Sequence, residues 1–381
     1  MRFHGSHLSY CTNIHPAESW EETRRVLETH VLRVRDLLRR QELLDGSEPF
    51  AIGLRLSAVA AAELLRSDRL ARFRDWLEET NTYVFTINGF PYGSFHGTRV
   101  KEKVFQPDWT TPARLDYTKD LFRILAGIAK PGTGASVSTL PGSHKTFGAD
   151  ESVIRRNLID LATWLDELAA ETGHDFHLGL EPEPLGHFEN TAETLGFFER
   201  LHADANDPDR IRRRIGLNYD ACHFAIEFDP AANALDSLRD AGIRLSKIHL
   251  SSAIELDPRD PAAVEAIRPF QEQVYFHQVI ARDESSRLHR FVDLPDFLAT
   301  DRENLVRARV HFHIPLDAEP APPLGSTRDQ AAETLAWCRG NPGLCQHFEI
   351  ETYTWGVLPD GMRRPVEEQI AAEYAWVLGQ G

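Results

Sequence analysis

Apolar residues recur along the chain in two periods that take turns. Short runs that are apolar at every second residue, or apolar throughout, read as strands. Longer stretches with apolar residues three and four apart read as amphipathic helices. The first run, HLSYCTNIH (7–15), leads into a helical pattern from Pro16 to about Leu44, opened by the Ser19-to-Glu22 spacing of a capping box. The unit then repeats. FAIGLRLS precedes an Ala/Leu-rich helical stretch. TYVFTING precedes an irregular segment and a helix predicted around Lys119 to Ala129, and GASVSTL one around Glu151 to Glu171, closed by Gly173. HLGLEPEP precedes a helix from Thr191, and IGLNYDACH one that runs from Pro230 to near Gly242. LSKIHLSS opens a long irregular interval, and QHFEIETYTW precedes a last helix from Pro365.

Eight such units predict an α/β fold whose parallel sheet closes into a (β/α)8 TIM barrel, in preference to an open doubly wound sheet. The lack of a G-x-G-x-x-G turn after the first strand points away from a dinucleotide fold. Residues 1–381 are expected to form a single TIM-barrel domain. The interval 252–345, between strands seven and eight, breaks the rhythm. It holds a helical piece, a hairpin in VYFHQVIARDESSRLHRFVDL and a strand in ARVHFHIPL, so it is expected to be an inserted loop region carrying a small extra sheet over one end of the barrel. The Pro-rich DAEPAPPLGS that follows reads as a connector.

Composition narrows the function classes. With 42% hydrophobic and 26% charged residues, the chain has the mixture of a soluble globular protein. Its net charge of -16 argues against nucleic acid or an anionic membrane as a partner, because these need a basic face. The four cysteines form no C-x-x-C pair, the N-terminus lacks the apolar core of a signal peptide, and no run approaches the length of a spanning helix. The expectation is a reducing cytoplasm and no membrane insertion.

The C-terminal ends of barrel strands converge on one mouth, so polar residues there are the functional candidates. Side chains alternate along a strand. Gly179 and Glu181 therefore face inward, Asn218 and Asp220 share the polar face of the next strand, Lys247, His249 and Ser251 that of the one after, and Glu349 and Glu351 oppose Phe348 and Ile350. This brings Glu181, Asp220, His249 and Glu351 to one rim. Clustered carboxylates raise one another's pKa unless a cation sits among them, and carboxylate with neutral imidazole is a donor set for a divalent ion. The alternative for each acid is a helix cap or a surface arginine partner. His223, three positions after Asp220, falls where the chain turns before the next helix and can curl back to the same spot.

The order Glu181, then D-x-x-H as Asp220 and His223, then K-I-H-L with His249, then I-E-T with Glu351, resembles the xylose-isomerase-like TIM-barrel superfamily, which includes sugar epimerases and endonuclease IV. The resemblance spans the whole barrel. It implies Glu181, Asp220, His249 and Glu351 as ligands of one divalent metal ion (Mn, Co, Zn or Mg). It also implies His223 as a substrate-binding residue, or as a ligand of a second ion in the nuclease branch. Within the superfamily, YCTNIHPAESW, NGFPYGSFHGTRVKEKVFQPDW, STLPGS and IETYTW together resemble the EboE family. That family is tied by its operon to traffic of a secondary-metabolite precursor, which implies other proteins of the same operon as partners. Ala17 stands where that pattern has glycine.

A metal between two glutamates suits proton transfer beside a carbonyl, with Glu181 and Glu351 as the catalytic pair and a sugar, cyclitol or similar polyhydroxylated metabolite as the small-molecule substrate. The expected activity is that of an isomerase or epimerase. A metal-dependent hydrolase, phosphoesterase or endonuclease, is the competing enzyme, and a non-catalytic metabolite carrier the competing non-enzyme. Further substrate-binding candidates are His15, Arg55, Asn88, Tyr92, His96 and Lys101. Against these stand a histidine at the helix start for His15, an arginine neutralising the acidic mouth for Arg55, loop packing for Tyr92, and solvation for one of Lys101 and Lys103. His289, His311 and His313 of the insertion are candidates for the mouth or a second metal, or else for the polar face of a small exposed sheet.

Overall fold

Strand and helix alternate in the backbone as the two hydrophobic periods require. The computed structural model describes residues 1–94, 96 and 101–381. The strands are β1 (Arg2–Phe3), β2 (Ser6–Tyr10), β3 (Phe50–Arg55), β4 (Thr82–Asn88), β5 (Ala135–Thr139), β6 (Phe176–Leu180), β7 (Ile215–Asp220) and β8 (Leu245–Leu250). Then follow β9 (Ile254–Leu256), β10 (Val279–Asp283), β11 (Leu288–Phe291), β12 (Leu305–Val310), β13 (Gly325–Ser326) and β14 (His347–Ile350). The larger sheet runs β1-β2-β14-β8-β7-β6-β5-β4-β3, and every pairing in it is parallel except the short β1–β2 hairpin. A parallel bridge between Cys11 and Gly53 joins the β2 and β3 edges. Eight parallel strands thus curl into the barrel.

Each barrel strand is covered on both sides, so its residues are almost all buried. One side chain set (Leu54, Ile87, Val137, Leu180, Leu217, Ile248) belongs to the main hydrophobic core. Barrel interiors are usually filled by branched apolar residues, but this one holds Lys247, His249 and Glu349, each with no exposure.

The first helix is built as its spacing predicts. Glu22 N donates to Ser19 Oγ (3.2 Å), and Ser19 N donates to Glu22 Oε2 (2.9 Å). The helix continues from Trp20–Val26 through a π turn at Leu27–Val31 into Leu32–Arg40. Two boundaries differ from expectation. The strand predicted over 7–15 stops at Tyr10, because Thr12–Ile14 forms a 3-10 turn whose Thr12 hydroxyl accepts from Arg55 N (2.8 Å). The helix predicted from Lys119 begins at Pro112, where Thr111 caps it by accepting from Arg114 N and proline stands in the first turn.

Between β8 and β14 lies an antiparallel sheet in the order β11-β10-β12-β9-β13, with its own core from Ile254, Phe270, Val279, Phe297, Val310 and Phe312. The strand predicted in ARVHFHIPL lies earlier, at Leu305–Val310. Past Val310 the chain is tied elsewhere: His311 N donates to Gln278 O (2.8 Å) and Ile314 N to Ser252 O (2.9 Å), which lays residues 311–314 along the barrel rim. Among the described residues, no helix is long and apolar enough to cross a membrane.

Candidate metal centre

Asp220 ends β7 and caps the helix Ala221–Ile226 that follows directly, so His223 sits in the first turn of a helix and not in the loop expected from sequence. Asp220 Oδ1 accepts from Cys222 N (2.8 Å), His223 N (3.2 Å) and Ser251 Oγ (2.5 Å), while Oδ2 accepts no hydrogen bond. One oxygen is used by the fold and the other is left for the site.

His249 comes from β8. Its Nε2 lies 2.8 Å from Glu349 Oε2, and its Nδ1 lies 3.1 Å from Glu181 Oε1 and 3.4 Å from Asp220 Oδ2. Burial opposes a charge on this ring, yet the carboxylates of Glu181 and Asp220 outweigh it and hold the His249 pKa well above the ordinary range. Burial likewise pushes Asp220 upward, and the His223, His313 and His249 rings override it, leaving Asp220 depressed. The imidazole proton is thus standing where a cation is wanted. Glu181, Asp220 and His249 offer ligand atoms within 4.8 Å of one another, and Glu181 Oε2 and Asp220 Oδ2 are buried without a hydrogen bond. Two carboxylates, an imidazole and orphaned oxygens fit a divalent ion.

Glu351, just past β14, lies on the wall of the same cavity, but its ligand atoms do not join that cluster. Its Oε1 accepts from Asn13 Nδ2 (2.6 Å), and its Oε2 is 2.7 Å from His313 Nδ1. His223, Asn88, Lys101 and His311 also line the cavity. Lys101 is not a free cation there: its Nζ pairs with Asp293 Oδ2 (2.6 Å) and lies 4.8 Å above the Phe276 ring. His311 and His313 face the same way, with Nε2 atoms 3.3 Å apart.

Other candidates lie elsewhere. His15 turns from the mouth, stacks on His30 and meets Tyr10 Oη (3.1 Å), and burial pulls its pKa down to about 3. Arg55 donates to Ala17 O and to Gly93 O (2.5 Å) and pairs with Glu18 (3.1 Å), clamping two loops together. Tyr92 packs edge-on against Tyr117, with Arg114 over its ring. His96 is not among the residues lining the cavity, and burial lowers its pKa to about 4. His289 sits on the β10–β11 hairpin, more than a third exposed, against Asp283 (2.7 Å). Phe95 and residues 97–100 of the motif running from Asn88 to Trp109 lie outside the described residues.

Several neighbours of the cavity escaped sequence reasoning. Glu183 lines the cavity two residues beyond Glu181, and burial together with the Glu181 charge raises its pKa well above the carboxylate range. Alternation extended through the prolines of EPEP was the signal for it. Asn13, Tyr275, Gln278 and Tyr353 also line the cavity, and Cys222 offers a ligand atom close to His311 and His313. These lie past the strand ends, in short turns, helix starts and loops, where no strand periodicity marks them.

No family model and no curated protein sequence matches the chain. Among solved structures, the IolI protein with a bound zinc atom aligns over 98% of this chain and 97% of its own, at TM-score 0.50 and 12% identity. The probable 3-DHS dehydratase AsbF of Bacillus anthracis covers 98% of each chain at TM-score 0.48 and 11% identity. A xylose isomerase domain containing protein of Salmonella typhimurium LT2 covers 99% of each at TM-score 0.43 and 11% identity. At such identities the likeness to IolI speaks for the fold, the (β/α)8 barrel.

Proposed function

We propose that this protein is a divalent-metal-dependent isomerase or epimerase that moves a proton beside the carbonyl of a sugar, cyclitol or related polyhydroxylated metabolite. The observation that carries the reading is the convergence of Glu181, Asp220 and His249 at the ends of successive strands, with two orphaned carboxylate oxygens beside a cavity. We take residues 1–381 as one TIM-barrel domain, with 252–345 as its insertion. On the loop motifs, we assign it to the EboE family and its metabolite pathway, working in the cytoplasm with the operon's other proteins.

Glu181, Asp220 and His249 would hold the ion, with Glu351 closing the set from the cavity wall. When bound, the ion would polarise the carbonyl and neighbouring hydroxyl oxygens. The chain's own groups do the rest. Glu181 and Glu351 take and return the proton. Asn13 holds Glu351 through a 2.6 Å hydrogen bond, leaving its second oxygen to His313 and the substrate. The test is incubation of the metal-loaded protein with a panel of ketoses, aldoses and inososes in heavy water. Deuterium at the carbon beside the carbonyl, lost in Glu181→Gln and Glu351→Gln, supports the reading. No exchange across the panel favours the carrier.

A second reading, metal-assisted hydrolysis of a phosphoester, has its own observation. His223 Nδ1–H donates to Pro182 O (2.8 Å), His313 Nδ1–H to Glu351 O (3.0 Å) and His311 Nδ1–H to Gln278 Oε1 (2.7 Å), whose amide nitrogen is itself used on Pro184 O. His311 and His313 bring their Nε2 atoms to 3.3 Å, and Asp220, His223 and His313 offer ligand atoms within 4.8 Å of one another, a second donor set beside the first. Two ions per chain on metal analysis would favour hydrolysis, and one ion the isomerase.

A further inference from the structure

Lys247 and Glu349 occupy the layer of the barrel interior beneath the candidate centre. Both have no exposure, and Lys247 Nζ lies 2.7 Å from Glu349 Oε2. Barrel interiors are normally packed with branched apolar residues, and a buried ion pair is a poor means of stabilising a core. The barrel makes room for it at a cost. On β3 across the interior, Gly53 has no side chain, and a Cβ there would come 1.9 Å from Glu349 Oε1.

The same Glu349 oxygen that meets Lys247 accepts from His249 Nε2–H at 2.8 Å. A carboxylate at Nε2 keeps a proton on that nitrogen, so Nδ1 is the nitrogen turned toward the ion site. Nδ1 is the atom that faces Glu181 and Asp220. A carboxylate behind a histidine also makes the ring a stronger ligand. Lys247, bonded to the same Glu349 oxygen, fixes where that carboxylate can sit.

We propose that the Lys247–Glu349 pair is the positioning device of the metal centre: Glu349 orients His249 and fixes its tautomer, and Lys247 holds Glu349 in place. The inference rests on the metal-binding reading of Glu181, Asp220 and His249.

Titration of Mn2+ by calorimetry and of Co2+ by visible absorption tests it on the full-length protein. Glu349→Gln is expected to weaken Mn2+ binding about 10–100-fold and to shift the Co2+ bands. Because Glu349→Gln strands a buried lysine and can fail to fold, the decisive variant is Glu349→Gln with Lys247→Met, which removes both charges together. The double variant is expected to melt within a few degrees of wild type and still to bind Mn2+ about 10–100-fold more weakly. Wild-type Mn2+ affinity and an unchanged Co2+ spectrum in the folded double variant would overturn the proposal, since a merely structural pair predicts that outcome. No Mn2+ or Co2+ binding by wild type would instead refute the metal reading on which the proposal depends.

Discussion

Adding Mn2+ or Zn2+ to the metal-free protein is expected to raise its melting temperature by about 3 °C when free ion reaches a hundred times its Kd; at one fixed ion concentration, the shift grows with pH. An ion that binds only the folded state contributes about 2.7 kcal/mol at that concentration. A chain of 381 residues has an unfolding entropy of about 0.8 kcal/mol per kelvin, and the ratio gives the shift. The pH dependence follows from the two displaced pKa values. His249 is raised, so its protonation stabilises the metal-free fold below the ordinary histidine range, and that contribution is lost as pH rises through the raised value. Asp220 is depressed, so its contribution is present above the ordinary carboxylate range and lost as pH falls through the depressed value. As pH rises toward the raised value, the imidazole of the metal-free site loses its proton. An ion then needs to displace less of that proton to reach Nδ1. Scanning calorimetry at pH 6, 7, 8 and 9, with and without ion, is the assay. Glu181→Gln removes one of the three clustered ligands and is expected to reduce the shift to under 1 °C. A shift of equal size in wild type and Glu181→Gln, or none in wild type at millimolar ion, would refute the reasoning.

Three further outcomes are expected. Gly53→Ala puts a Cβ 2.5 Å from the backbone oxygen of Tyr10 and 2.8 Å from Glu349 Cδ. It should lower stability in urea by at least about 1–3 kcal/mol, the range of overpacked cores. Glu373 is fully buried, accepting from Thr352 Oγ1 (2.6 Å) and Leu316 N (3.2 Å), and burial raises its pKa from 4.5 to about 8. The folded state thus keeps a proton that the unfolded chain releases, and stability falls by up to about 1.4 kcal/mol per pH unit between those values. Urea unfolding from pH 5 to 8 should show Glu373→Gln to be flatter than wild type. His289→Ala, on the exposed hairpin, should leave Mn2+ affinity and heavy-water exchange within twofold of wild type.

What could be read in advance, and what could not, follows from how far each rule reaches. Alternation assigns a face to every residue of a strand, and barrel closure brings those faces together. Glu181, Asp220 and His249, from three consecutive strands, could therefore be placed at one mouth without any knowledge of loops. Alternation does not give depth. Lys247 and Glu349 share their faces with His249 and Glu351, but which layer each occupies depends on the stagger between strands, a property of the closed barrel and not of any one segment. Beyond a strand's end the rule lapses. His15 does not line the cavity, for the chain turns at Thr12, and the guanidinium of Arg55 is held by loop carbonyls at Ala17 and Gly93. Glu183 is the instructive opposite, for the prolines on either side of it hold the chain extended, so the alternation that pointed Glu181 inward still operates two residues later. Inward parity narrows the candidates on the strands, and an unused hydrogen-bonding atom in a buried place, as on Asp220 Oδ2 and Glu181 Oε2, narrows them further; only the folded chain reveals the second.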